Sequence, residues 1–179
     1  MENLELRMYG LVNYQLTGIQ MGIQFSHAVV EYGQLVKVKG GDELEKYNEW
    51  ANNHKTIILL NGGTTNNNLN RLGTLNQYIQ VLTDKKILCS KFEEIDLGDQ
   101  LTAIAFIVDE RVFNKEKYPD FDFTNKNQIT PGYGMWSEDP LNPQFMNDNE
   151  KLRWDFWVEF IGGETNLWLR SWLKNFRLA

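Results

Sequence analysis

The sequence predicts an α/β protein: a small three-layer sandwich built on a four-stranded mixed sheet, followed by an aromatic-rich C-terminal extension. Three observations carry this. Strand-type and helical patterns follow one another in the order β-α-α-β-α-β-β up to residue 108. The segment Leu101-Thr-Ala-Ile-Ala-Phe-Ile-Val108 is apolar enough for the centre of a sheet. With 179 residues, 42% hydrophobic and 13% aromatic, the chain can bury a real core. The expected division is an α/β domain over residues 1–112, and an irregular loop with a helical extension over 113–179 packed on the same domain.

Tyr9, Leu11, Val12 and Tyr14 are β-formers, and residues 6–14 are expected as the first strand. After the Thr17-Gly18 turn, Ile19, Ile23, His27 and Val30 recur at spacings of three and four, which predicts a helix over 19–36 with that stripe in the core. Gly33, Gly40 and Gly41 mark its end or a break. Asp42, with Glu45 three residues on, is expected to cap a second helix running to Trp50. His54, beside Asn52, Asn53 and Lys55, is expected at the surface. A second strand follows over 55–60, and Leu69, Leu72, Leu75, Tyr78, Ile79 and Leu82 predict a helix over 66–82. Strands over 86–92 and 101–108 complete the sheet, joined by an acidic link.

Beyond Val108 the composition changes. Residues 118–149 are rich in Pro, Gly, Asn and Asp and read as an irregular excursion. Trp154, Trp157, Val158 and Ile161 would form one helical face ending at Gly162-Gly163, although Trp154, Phe156, Val158 and Phe160 also alternate as a strand would. The tail over 165–178 reads as an amphipathic helix. Its tryptophans are expected to cover the sheet, or else to form a dimer or partner surface.

The formal charge of -6 and a pI near 5.0 argue against a broad nucleic-acid surface, which needs clustered Lys and Arg. Cys89 is the single cysteine, so no intramolecular disulfide forms. The first residues lack the form of a signal peptide, and no apolar run approaches the roughly 20 residues of a membrane span. A cytoplasmic protein is expected.

The most informative segment is Ile57-Ile-Leu-Leu-Asn61-Gly62-Gly63-Thr64-Thr65. A strand that stops at adjacent glycines before a helical pattern can aim backbone N–H groups and a helix dipole into one crevice, a setting for a phosphate or another anion. The alternative is an ordinary turn with Thr64 or Thr65 as helix N-cap. No Gly-Lys-Ser/Thr follows, so this is no P-loop.

At Gln24-Phe25-Ser26-His27-Ala28, behind a strand and a glycine-containing turn, the chain resembles the type 2 peptidyl-tRNA hydrolases, whose first helix opens with Ala-Gln-Cys-Ser-His-Ala. The likeness covers residues 6–108 and implies that family's fold. The family's turn lysine has no counterpart in Gly18-Ile19-Gln20-Met21-Gly22, and Glu94-Ile95-Asp96-Leu97-Gly98-Asp99-Gln100 lacks the Arg and Thr of its Asp-Ala-Gly-Arg-Thr motif. Losing those charges removes groups that would hold a tRNA phosphate. The chain also resembles bacteriophage and bacterial proteins on this fold.

The resemblance and the glycine turn together imply a non-catalytic binding protein. It would hold a small anionic ligand, a nucleotide by expectation, between Gln24, His27 and the Asn61–Thr65 turn, with Tyr14 stacking on the base. Arg170, on the basic edge of the tail, would supply a cation. In a phage setting such a protein would sequester a host nucleotide signal in the host cytoplasm. The alternative is hydrolysis of peptidyl-tRNA with His27 and Asp96 in acid–base or orienting roles, the tRNA end being then the only nucleic acid engaged. A third reading is a protein-interaction module. No cofactor or metal is expected, since two distant histidines and one cysteine make no zinc site. Glu93, Glu94, Asp96 and Asp99 are either solvated loop acids or a source of one acceptor near a strand end.

Overall fold

Strand pairing sets the frame of the computed structural model, which describes residues 4–122 and 148–179. Strand β1 (Leu6–Val12) pairs in parallel with β2 (Thr56–Asn61) and antiparallel with β4 (Gln100–Asp109). Strand β3 (Cys89–Glu94) lies on the far side of β4, giving the order β2-β1-β4-β3. The register runs Met8 beside Ile57 and Ile107, and Val12 beside Asn61 and Ala103. The protein is thus α/β with a mixed four-stranded sheet.

Side chains of successive strand residues alternate between faces, so parity assigns the two cores. Leu6, Met8, Val12, Ala103 and Ala105 face α1 (Gly18–Lys39), which buries Phe25, Ala28, Tyr32 and Val36 against them. Helix α2 (Gly41–Glu49) and a π-helical turn (Trp50–His54) complete that side, with Trp50 buried. Leu11, Ile104, Phe106 and Val108 point to the other face and are equally buried. Right-handed crossovers β1→β2 and β2→β3 run in opposite directions across the sheet, which places α3 (Thr74–Asp84) on this second face. Its Leu75 and Leu82 are fully buried.

The chain divides into two compact units: Met1–Asp109 with Asn175–Ala179, and Glu110–Lys174. The second holds the short helix α4 (Glu110–Phe113), α5 (Asp148–Phe160) and α6 (Glu164–Trp172). Phe121, Trp154, Trp157, Val158, Ile161 and Leu167 form its core. The helical reading of residues 154–161 therefore prevails over the strand, and Trp154 and Trp157 fill their own unit's interior. Most of the excursion expected over 118–149 lies outside the described residues.

Several boundaries differ from expectation for physical reasons. The α1 stripe Ile19, Ile23, His27 and Val30 faces solvent, with Ile19 80% and Val30 59% exposed. This helix carries two apolar stripes on opposite faces, and the one with the aromatic side chains, Phe25 and Tyr32, is buried. Gly33 lies inside α1, where a Cβ would meet the Tyr47 hydroxyl at 2.8 Å. Thr17 and Gln20 form a capping box that starts α1, while α2 begins after Gly40 with no side-chain cap from Asp42. His54 is half-buried, its Nδ1 accepting the Leu6 N–H at 3.0 Å.

The third helix starts at Thr74, not near residue 66, with Gly73 rather than Thr64 or Thr65 at its N-cap. Asparagine side chains explain the delay: Asn66 Oδ1 accepts the Asn68 N–H and Asn68 Oδ1 the Asn70 N–H, each at 2.9 Å, local bonds that compete with helix. The tail departs from helix after a 3-10 turn (Leu173–Asn175). Asn61 then donates its N–H to the Arg177 carbonyl and Ala179 donates to Leu59, so the last residues cover the outer edge of β2.

Candidate functional site

The carboxyl ends of β1, β2 and β3 point the same way. From β1 the chain turns to the α1 face and from neighbouring β2 to the α3 face, so a switch point lies between Val12-Asn13 and Asn61-Gly62. Three hydrogen bonds bridge it: Gly62 N–H to the Val12 carbonyl at 2.8 Å, Tyr14 N–H to the Gly63 carbonyl at 3.0 Å, and Asn13 Nδ2 to Thr65 Oγ1 at 3.1 Å.

The amides of Asn61, Gly62, Gly63 and Thr64 in the turn are engaged within the protein. Gly63 N–H is donated to Asn61 Oδ1, Thr64 N–H to Thr74 Oγ1 and Asn66 N–H to Asn76 Oδ1, each at 2.9 Å. The Thr74 hydroxyl in turn donates to the Gly62 carbonyl at 3.2 Å. These bonds also account for the paired glycines. Gly63 has φ +78°, and a Cβ there would run into the Thr74 hydroxyl; at Gly62 it would lie 3.0 Å from the Val12 carbonyl oxygen. The turn's geometry is that of a tightly packed β2–α3 joint. Its exposed polar surface comes from side chains.

A second polar set lies toward β3. Thr102, fully buried, donates from Oγ1 to Gln24 Oε1 at 2.8 Å and lies 3.1 Å from the Phe92 carbonyl. Gln24 Nε2 donates to Glu94 Oε2 at 2.6 Å. The two sets are continuous, because Asn13 N–H donates to the Thr102 carbonyl and Thr65 Oγ1 to the Leu101 carbonyl. A register shift between Phe92 and Glu93 sits beside Thr102. Asn13, Gln24 and Thr102 are all buried, an arrangement that fixes their positions.

The structure thus brings together Gln24, Asn61, Gly62, Gly63, Thr64, Thr65 and, through its backbone, Tyr14, whose side chain is half exposed. It selects Glu94 from the acids of its segment and adds Asn13 and Thr102. Their signal in the sequence was position alone: polar residues at strand ends. His27 is exposed, not packed in the core, with its ring stacked on Phe92 at 4.4 Å one turn beyond Gln24. Asp96 is exposed in the 3-10 turn Ile95–Leu97 and shares no hydrogen bond with His27. Burial pushes the Cys89 thiol up to about 11, so it is no ready nucleophile at neutral pH.

Arg170 belongs to the other unit. Its guanidinium, 3% exposed, pairs with Asp120 at 2.6 Å, donates to the Arg111 and Tyr118 carbonyls and lies over the Trp157 ring. Three hydrogen bonds and burial make it a structural cation there, not a group reaching into solvent. Among the described residues no group of three or more His, Cys, Asp or Glu is placed to hold a metal ion, and no helix is long and apolar enough to cross a membrane. In comparison with known proteins, the chain matches no family model and no curated sequence.

Proposed function

We propose that the first unit is a non-catalytic binding domain on a peptidyl-tRNA hydrolase-like fold, and that its ligand is a nucleotide recognised through base and ribose. The observation that carries this is the Thr102–Gln24–Glu94 chain at the carboxyl end of the sheet. Gln24 keeps a second amide hydrogen and Glu94 a second carboxylate oxygen, a donor beside an acceptor that suits the edge of a base or a ribose hydroxyl. Tyr14 follows β1 and Glu94 ends β3, with β4 between them. Two strand spacings make about 10 Å, the scale of a nucleoside. The side chains of Asn61, Thr64 and Thr65 offer hydrogen bonds beside Tyr14, while the engaged turn amides and the Glu94 charge move the recognition away from a phosphate nest. Sequestration of a nucleotide signal needs this kind of fixed site and no turnover. The element order and mixed sheet, with Gln24 and His27 on the first helix, support the family reading.

Isothermal titration calorimetry against mononucleotides and cyclic dinucleotides tests the proposal, with chromatography of the recovered ligand. The expected result is stoichiometric binding of one of them, the ligand returned intact, and at least roughly tenfold weaker binding for Tyr14→Ala. Degradation of the ligand, or binding that Tyr14→Ala leaves unchanged, defeats it. An ester-hydrolysis assay on peptidyl-tRNA beside His27→Ala separates the enzymatic alternative, which requires the two rates to differ.

A further inference from the structure

We propose that Lys115 is a carbon dioxide acceptor: its amine takes up CO2 as a carbamate, an anion that Arg170 and Lys174 hold. All three side chains converge on Asp120 within the second unit. Lys115 Nζ and Arg170 Nη2 bond to the same carboxylate oxygen, Oδ1, the guanidinium at 2.6 Å, and Lys174 Nζ lies 3.6 Å from Oδ2. Among the described residues, Lys115 and Arg170 pair with no other carboxylate. Arg170 Nε is buried without any acceptor. Donors therefore outnumber acceptors at this cluster, and what it lacks is a further anionic oxygen.

Lys115 is the group able to supply one. An arginine keeps its charge at any ordinary pH, and Lys174 is half exposed, whereas the Lys115 side chain is only 29% exposed. That leaves it reachable by a small uncharged molecule. Burial pulls the Lys115 pKa down to about 8; the charges of Arg170 and Lys174 add to this and Asp120 opposes it. A share of its amine is therefore uncharged near neutral pH. The nitrogen lone pair attacks the carbon of CO2, an N–C bond forms, and one C=O electron pair moves onto oxygen as the nitrogen releases a proton to water. Nothing is oxidised or reduced. From ammonium to carbamate the nitrogen loses two of its three hydrogens, and Asp120 engages only one of them. The hydrogen that stays keeps the bond to Asp120, while the new carboxylate offers oxygens to the cations. Two anionic groups then face Arg170 and Lys174.

The test incubates the whole chain with heavy-carbon bicarbonate at about pH 8 and traps the product with triethyloxonium, which esterifies a carbamate so that it survives digestion. Peptide mass spectrometry should find the heavy-carbon ester on Lys115 at least roughly tenfold above its level on exposed lysines. Lys174→Met takes a cation from the product and should lower the Lys115 signal at least roughly threefold. At fixed pH and ionic strength the melting temperature should rise when bicarbonate replaces chloride, and Lys115→Arg should abolish that rise. Labelling that is absent, spread evenly over the lysines or indifferent to Lys174→Met overturns the proposal, as does a melting temperature that bicarbonate leaves unchanged. A rise that survives Lys115→Arg also overturns it, since bicarbonate then binds as a free anion.

Discussion

Gln24 and Glu94, seventy residues apart, are joined by a 2.6 Å hydrogen bond that ties the second turn of α1 to the last residue of β3. Gln24→Ala leaves Thr102 beside the Phe92 carbonyl but takes the donor from Glu94, and is expected to cost about 1–3 kcal/mol in urea unfolding. Gln24→Glu sets two carboxylates face to face, so one of the pair holds its proton above the ordinary range in the folded state. A raised folded-state pKa adds stability in acid that disappears as pH rises. The variant should therefore stand closest to wild type near about pH 4 and furthest below it near about pH 7. An equal deficit at both values contradicts the contact.

The second unit depends on one carboxylate. Asp120 pairs with Arg170, Lys115 and Lys174. Burial pushes its pKa up, but the hydrogen bonds and charges of Lys115 and Arg170 outweigh this and hold it below the usual carboxylate range. Its contribution is present above the ordinary carboxylate value and is lost as pH falls through the lowered one. Asp120→Asn is expected to cost about 3 kcal/mol at neutral pH, by leaving Arg170 buried without its counter-charge. Tryptophan fluorescence during denaturant titration reads this, and the difference from wild type should close only in strong acid.

Lys115 gives the opposite signature. Burial pulls its pKa down to about 8 from the ordinary 10.5, so the folded state releases its proton first. Stability then rises with pH between those two values and is lowest below about 8. Lys115→Met should abolish that rise in melting temperature; a slope that survives the substitution assigns it to another group.

Removing residues 176–179 takes away the Leu60–Leu178 bridge and the edge contact of Phe176 with Tyr78 at 5.0 Å. The outer edge of β2 is then bare. A loss of about 1–3 kcal/mol and light scattering on heating are expected; a truncated chain that melts unchanged and clear contradicts the role.

Strand β4 was legible because its apolar run has only one way to be buried, and it begins and ends within one residue of the expected segment; β3, half polar, starts three residues later than expected. The α1 face was not, since Ile19–Val30 and Phe25–Val36 are both good stripes and only the sheet chooses between them. Thr17-Gly-Ile-Gln20 did carry the capping-box signature. The long approach to α3 was hidden in Asn66, Asn68 and Asn70, whose side chains imitate backbone acceptors. Glu94 could be named among the acids of its segment, but its partner Gln24 is a tertiary fact. Arg170 looked like an edge cation because helical spacing cannot tell an exposed basic stripe from one aimed at a buried carboxylate.

The Gly62 N–H bonded to Val12 has a bearing on chemical ageing. An Asn-Gly pair ordinarily decays when the glycine nitrogen attacks the asparagine side-chain carbon and expels ammonia through a cyclic imide. Here that nitrogen is held in the strand by the Val12 carbonyl, and the Asn61 side chain is turned to the Gly63 N–H. Attack needs both bonds to break. The lifetime of Asn61 is therefore set by how often the end of β2 opens, and isoaspartate at this position is a record of local unfolding.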